Sequence, residues 1–393
     1  MQKLKKWLFV FKLTMCFLLS SCSTQSQISV NEQDEIKKSF RLLVDKGYYP
    51  GGAILIRQNG KTVIEDSYGV VDLETKKKFS TDQLCWLAST GKMFTATLMA
   101  SLVDDGLISF DDPISKYYPQ LSNIKLHNGK KPKQQILLRH ILSHTSGIPN
   151  DNWLENYRSA TVGNPGQYKK YFEPRSALDF IDACLKLGVA NEPGIKMMYG
   201  TPIDIAACIA EKVTGKKFTQ LMYERVIQPL KLRNTTVVPT DEQLKSIAPL
   251  YSSSTPGKFK PDALSKYVAN RQRTRFTTAG GCVFSTLEDV STLLQLHLNK
   301  GRFKNQRLIS ETSLSQLYMP QPGTENKYGL AFMIKNTDDT RIYYHPGYSG
   351  PVGWIDFERK LIGVMLMQSN TKGRDQLHQT VIETVNKVIP KTH

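Results

Sequence analysis

Ser89 and Lys92 stand three residues apart in the stretch Leu87-Ala88-Ser89-Thr90-Gly91-Lys92. On an α-helix that spacing puts both side chains on one face, close enough to meet. A serine hydroxyl is a weak nucleophile near neutral pH unless a base lies within hydrogen-bond reach, and a lysine amine can be that base. A helix starting at Ser89 would also set the hydroxyl at the positive end of the dipole, where charge developing in acyl transfer is favoured. A plainer reading makes Ser89 a helix cap and Lys92 a solvated surface residue. The same pattern recurs at Ser122/Lys125 and Ser369/Lys372. Only Ser89 is followed by a long apolar run, Met93 to Val103, which ends at Asp104-Asp105-Gly106. Such a run reads as a buried helix with a left-handed glycine stop.

A second candidate is Tyr199, in Tyr199-Gly200-Thr201-Pro202 just ahead of an apolar helix from Ile203 to Val213. Thr201 with Pro202 reads as an N-cap and first-turn pair, which accounts for the threonine structurally. Tyr199 has no such account, and a phenolic oxygen beside a lysine can act as a general base. His140 and His144 have the i, i+4 spacing of a helical metal pair. The zincin glutamate between them is missing, so a helix end before Thr145-Ser146-Gly147 is the reading taken, with no metal. Residues 149 to 175 are rich in loop signals and carry Trp153, Tyr157, Tyr168, Tyr171 and Phe172, which read as pocket walls or as the packing of a long loop, the first being preferred.

The elements around these residues follow from periodicity. Residues 31 to 46 form an amphipathic helix with Ile36, Phe40, Leu43 and Val44 on one side. Ala53 to Ile56 and Thr62 to Ile64 flank Asn59-Gly60, a two-residue hairpin signal. From Ser89 to about residue 275 the patterns are mostly helical. Beyond that, Ser285 or Thr286 caps a helix to His297. Tyr328 to Phe332, Arg341 to Tyr344, Gly353 to Phe357 and Leu361 to Met367 read as strands, and 373 to 388 as a closing helix. Strands at both ends with helices between predict an α+β fold, one antiparallel sheet carrying a helical insertion. The expected division is a sheet domain of 31–88 with 276–393 and a helical domain of 89–275.

Residues 1 to 21 stand apart from that fold. Lys3, Lys5, Lys6 and Lys12 precede or interrupt an apolar stretch too short to span a membrane comfortably, and the pattern fits an export signal. Leu19-Ser20-Ser21-Cys22 resembles the bacterial lipoprotein box, which would make Cys22 the lipidated start of the mature chain, followed by a tether to residue 30. The expectation is an exported lipoprotein of the cell envelope. Without the signal the charge falls from +17 to +13, since four lysines and no acids are lost. The basic residues are dispersed and bring no nucleic-acid motif, so an anionic envelope surface is the expected partner rather than a nucleic acid. Cys85, Cys184, Cys208 and Cys282 are widely spaced, and neither a zinc site nor a disulfide framework is signalled.

Taken together, Ser89-x-x-Lys92, Tyr199-Gly200-Thr201 and His345-Pro346-Gly347 in this order resemble the serine β-lactamase and penicillin-binding-protein superfamily, nearest its class C and esterase-like branch. The resemblance covers roughly residues 35 to 388. Leu138 to Gly147, Gly280-Gly281 through Asp289, and Tyr328-Gly329-Leu330 support it. It implies a β-lactamase/transpeptidase-like fold and an acylated nucleophile at Ser89. Lys92 and Tyr199 would share proton transfer, with the choice of acylation base open. His345 and Gly347 would edge the site beside Thr201, and the backbone N–H groups of Ser89 and Tyr348 would form an oxyanion hole. The substrates implied are small esters or amides, including β-lactams and D-amino-acid peptides, with no cofactor.

Two departures bear on that expectation. Thr201 stands where the family often has asparagine, and His345 where lactamases have lysine. A histidine is only partly charged near neutral pH, so a substrate carboxylate would be held less firmly. Both changes favour esterase or peptidase chemistry over efficient lactam hydrolysis. A non-enzymatic reading, a penicillin-recognising fold kept as a sensor or structural component, would leave Ser89, Lys92 and Tyr199 without a task. The α/β-hydrolase elbow G-x-S-x-G is excluded, because Pro351 takes the last glycine position in Gly347-Tyr348-Ser349-Gly350-Pro351.

Overall fold

The computed structural model describes residues 28–149, 174–337 and 339–391. The expected export signal, Cys22 and the aromatic residues Trp153 to Phe172 therefore lie outside the described residues. Ser29 opens helix α1 (Val30–Asp45) with a reciprocal capping box to Glu32. The chain then enters strand β1 (Gly51–Gln58) and returns in β2 (Lys61–Gly69). Asn59 and Gly60 between them are both left-handed, as a tight hairpin requires.

Four later strands complete the sheet: β3 (Met333–Asn336), β4 (Arg341–Pro346), β5 (Val352–Asp356) and β6 (Leu361–Met367). The spatial order is β2-β1-β6-β5-β4-β3, antiparallel throughout, so the two ends of the chain meet at the β1–β6 pairing. This is the α+β architecture expected from the sequence. One strand differs. Residues 328–332 lie outside the regular sheet, and pairing begins at Met333. The amides of Leu330 and Ala331 bond instead to the carbonyls of Leu317 and Leu142, and Ala331 is left-handed, which turns the chain away from an extended path.

Alternation along β1 explains the layering. Ile54 and Ile56 face Phe40 and Leu43 of α1 and Val381 and Val385 of the closing helix, α5 (Arg374–Val388). Ala53 and Leu55 join the opposite core with Val290 and Leu294 of α4 (Leu287–Leu298). Each large aliphatic chain buried there stabilises the fold by roughly 1.5–3 kcal/mol. The same core includes Leu98 and Leu102 of α2 (Lys92–Asp104) and Ile205 and Ile209 of α3 (Asp204–Thr214). The helix behind Ser89 is thus buried nearly all round, as its composition demands.

Candidate active site

Ser89 does not begin α2. It lies in a short 3-10 turn, Ala88–Gly91, from which α2 continues at Lys92. That turn is held from two sides. Cys85 and Trp86 pair with Phe284 and Ser285, and the Thr90 hydroxyl lies 3.1 Å from the carbonyls of both His345 and Pro351. Ala88 adopts φ +47°, a left-handed conformation unusual for a residue with a Cβ. Strain of this kind persists where surrounding structure enforces it, here one residue before the serine.

Lys92 is 4% exposed, and its ammonium donates to Ser89 Oγ and to the Gly280 carbonyl, each at 2.9 Å. It also lies 4.8 Å from the centre of the Tyr199 ring, within cation–π range. The two other Ser-x-x-Lys pairs lack this arrangement. Ser122 donates to the Pro119 carbonyl on the surface, and buried Ser369 pairs with Thr371. Spacing alone did not separate the three pairs; burial and hydrogen bonding do.

Ser89, Lys92, Tyr199, Thr201 and Tyr348 line one cavity of about 250 Å³. Trp86 and Val268 supply apolar wall. Thr201 begins a one-turn 3-10 segment with Gly200 as its cap residue, so the threonine is not the N-cap that its pairing with Pro202 suggests. Gly347 sits where the end of β4 presses on the turn that carries Ser89. The tight turn after it uses the amides of Gly347 and Gly350 and not that of Tyr348.

His345 is placed differently from the expectation of a substrate contact. It is 1% exposed and does not line the cavity. Its Nδ1 donates to the Pro346 carbonyl at 2.9 Å, which leaves Nε2 to accept from the Tyr328 hydroxyl at 3.0 Å. Burial first, and the Lys92 charge second, lower its pKa to about 3, so the ring is neutral at physiological pH.

Two further residues shape the site without having been marked as candidates for it. Asp204, buried in the first turn of α3, accepts from the Thr278 hydroxyl at 2.9 Å and the Gly280 amide at 3.0 Å. It thereby anchors Gly280, the residue whose carbonyl receives Lys92. His144 packs its ring 4.3 Å from that of Tyr199. The helix carrying His140 ends at Leu142, so the two histidines do not share a helical face. His140 instead caps that helix, its Nδ1 accepting from the Leu137 amide.

A larger cleft of about 730 Å³, lined in part by Thr219, Tyr223, Lys231 and Arg233, shares no residue with this cavity and holds no nucleophile–base pair. The Ser89–Lys92 pair lies in the smaller one.

The Beta-lactamase family model matches residues 36–386. The chain belongs to that family. Over 325 residues it is 25% identical to Protein flp of Staphylococcus aureus (strain MW2), covering 82% of this chain and 59% of flp. The chain therefore spans about 59% of the length of that curated relative. Among solved structures it resembles EstCE1, described as a hydrolase with promiscuous acyltransferase activity. The TM-score is 0.77 at 19% identity, with 91% of this chain and 100% of that one covered. Simvastatin synthase (LovD) from Aspergillus terreus gives a TM-score of 0.75 at 19% identity, covering 91% and 98%. At such identities these likenesses establish a shared fold.

Proposed function

We propose that this family member is a serine hydrolase acting through an acyl-enzyme on neutral esters or small amides, D-amino-acid peptides included, in the bacterial cell envelope. The observation that carries the reading is the buried Lys92 Nζ 2.9 Å from Ser89 Oγ, in a turn forced into shape by its neighbours. Ser89 Oγ attacks the acyl carbonyl, and its proton passes to the basic member of the pair, the free amine of Lys92 or the phenolate of Tyr199. The N–H groups of Ser89, in a first turn lacking intrahelical acceptors, and of Tyr348 receive the oxyanion. Collapse transfers that proton to the departing alkoxide or amine. Water then attacks the ester at Ser89 by the reverse sequence, releasing the acid.

The cavity also supports a preference among substrates. Lys92 is the only cationic side chain among its described lining residues, and Ser89 and Gly280 already engage it. His345 is neutral and lies outside that lining. Among the described lining residues a substrate carboxylate meets no uncommitted cation, which favours esters over carboxylate-bearing lactams.

A fluorophosphonate probe tests the assignment. One adduct is expected, and tryptic mapping is expected to place it on Ser89; labelling that survives Ser89→Ala would end the reading. Envelope anchoring rests on the sequence around Cys22. Diacyl lipid there would hold the protein on membranes, at about 0.8 kcal/mol per buried CH₂. Cys22→Ala is expected to move active enzyme into the soluble fraction, and wild-type protein without lipid mass would refute the anchor.

A further inference from the structure

His144 is buried, left-handed at φ +59°, and has no part in the acyl-transfer steps above. Its contacts converge on one neighbour. Its backbone carbonyl accepts from the Met198 amide at 2.7 Å, and its Nδ1 accepts from the Gly200 amide at 3.3 Å. Those are the residues immediately before and after Tyr199. Its ring meanwhile lies against the Tyr199 ring at 4.3 Å, and the Tyr328 ring meets it edge-on at 5.5 Å. Three contacts from one residue thus fix both flanking peptides and the ring plane of Tyr199.

We propose that His144 is the positioning residue of Tyr199, holding the phenol in register with Ser89 and Lys92. The inference rests on the acyl-enzyme reading and goes beyond it, because it assigns a task to a residue that touches no substrate. Acceptance at Nδ1 requires the neutral ring with its proton on Nε2. The groups around the imidazole favour its neutral form. Burial, the Lys92 charge and the nearby His345 all hold its pKa well below the ordinary histidine value. Protonation would turn Nδ1 into a donor facing the Gly200 N–H and break the clamp.

The test is the burst rate of Ser89 acylation by a p-nitrophenyl ester, read in wild type, His144→Ala, His144→Asn, and each combined with Tyr199→Phe. Asparagine tolerates the left-handed backbone and places an acceptor oxygen near the position of Nδ1. His144→Ala is expected to slow acylation by about 10²-fold, the cost of a misplaced catalytic group. His144→Asn should recover at least tenfold of that loss. In the Tyr199→Phe background neither variant should slow acylation further, because residues acting as a unit are not additive.

Wild-type burst rates in His144→Ala would overturn the proposal. So would an undiminished loss in the Tyr199→Phe background, or an Asn variant no faster than Ala. If His144→Ala does not fold, the Asn variant is read through the same cycle, with a several-fold loss expected beside Tyr199 and none beside Phe. Failure of the wild type to acylate at Ser89 would instead remove the acyl-enzyme reading itself.

Discussion

A Cβ added to Gly347 would lie 2.3 Å from the carbonyl oxygen of Leu87 and 3.0 Å from the Thr90 hydroxyl. The end of β4 and the turn bearing Ser89 therefore meet backbone to backbone, with no room for a side chain. Gly347→Ala is expected to force the two apart, at an overpacking cost of about 1–3 kcal/mol. A shift near 1 Å between the Tyr348 amide and Ser89 should lower kcat by about 10²-fold. Thermal unfolding and ester turnover check both parts. Unchanged turnover would mean that the sheet edge plays no part in the oxyanion site.

Lys92 and Ser89 form a unit whose separate removal has a predictable pattern. Ser89→Ala and Lys92→Ala should each abolish most ester hydrolysis, and the double variant should lose no more than the worse single one. Ser122→Ala and Ser369→Ala, which break the other two Ser-x-x-Lys pairs, should retain turnover. Progress curves for the five proteins distinguish the cases. Additive losses would imply that Lys92 acts elsewhere than on Ser89.

The Ser89–Lys92 contact was legible because its pattern is local. Three-residue spacing followed by an apolar run needs no knowledge of the rest of the chain. Tyr199 was legible only as a tyrosine left over once Thr201 and Pro202 had an explanation. His144 was not, since its i, i+4 spacing with His140 suggested a shared helix face. The Thr145-Ser146-Gly147 turn signalled a helix end, but nothing in the sequence places that end at Leu142 or makes His144 left-handed. His345 shows a second limit. Its type could be read, but its charge and direction are set by burial and by Tyr328, from the far side of a turn.

That burial makes substrate charge a direct probe of the cavity. Neutral p-nitrophenyl acetate and anionic p-nitrophenyl hemisuccinate share a leaving group and differ in one carboxylate. Leaving that carboxylate unpaired costs about 1–3 kcal/mol, so kcat/KM for the neutral ester should be roughly ten- to a hundredfold higher. Cephalosporins, which carry the same charge, should also turn over more slowly than the acetate. A preference for the hemisuccinate or the cephalosporin would require a cation that the described lining does not provide.

Stability should fall with acid earlier than carboxylate titration alone would produce. Burial is the first cause of low pKa values of about 3 at His297, His345 and His378, with the Lys92 charge assisting at His345 and Arg374 at His378. In the unfolded chain each returns to an ordinary value near 6.5. Above that pH both states are neutral and these residues add no pH dependence. Below it the unfolded state binds protons that the folded state refuses, so unfolding becomes easier as pH falls towards 3. Each such histidine contributes a slope of up to about 1.4 kcal/mol per pH unit. Asp104 and Asp112, where hydrogen bonds outweigh the opposing effect of burial and hold the carboxyls low, act only below their ordinary value of 3.8. Thermal midpoints measured from pH 8 to 4.5 should therefore be flat at first and drop below about 6.5. A curve that stays level down to pH 4.5 would mean that these histidines take up protons without loss of the fold.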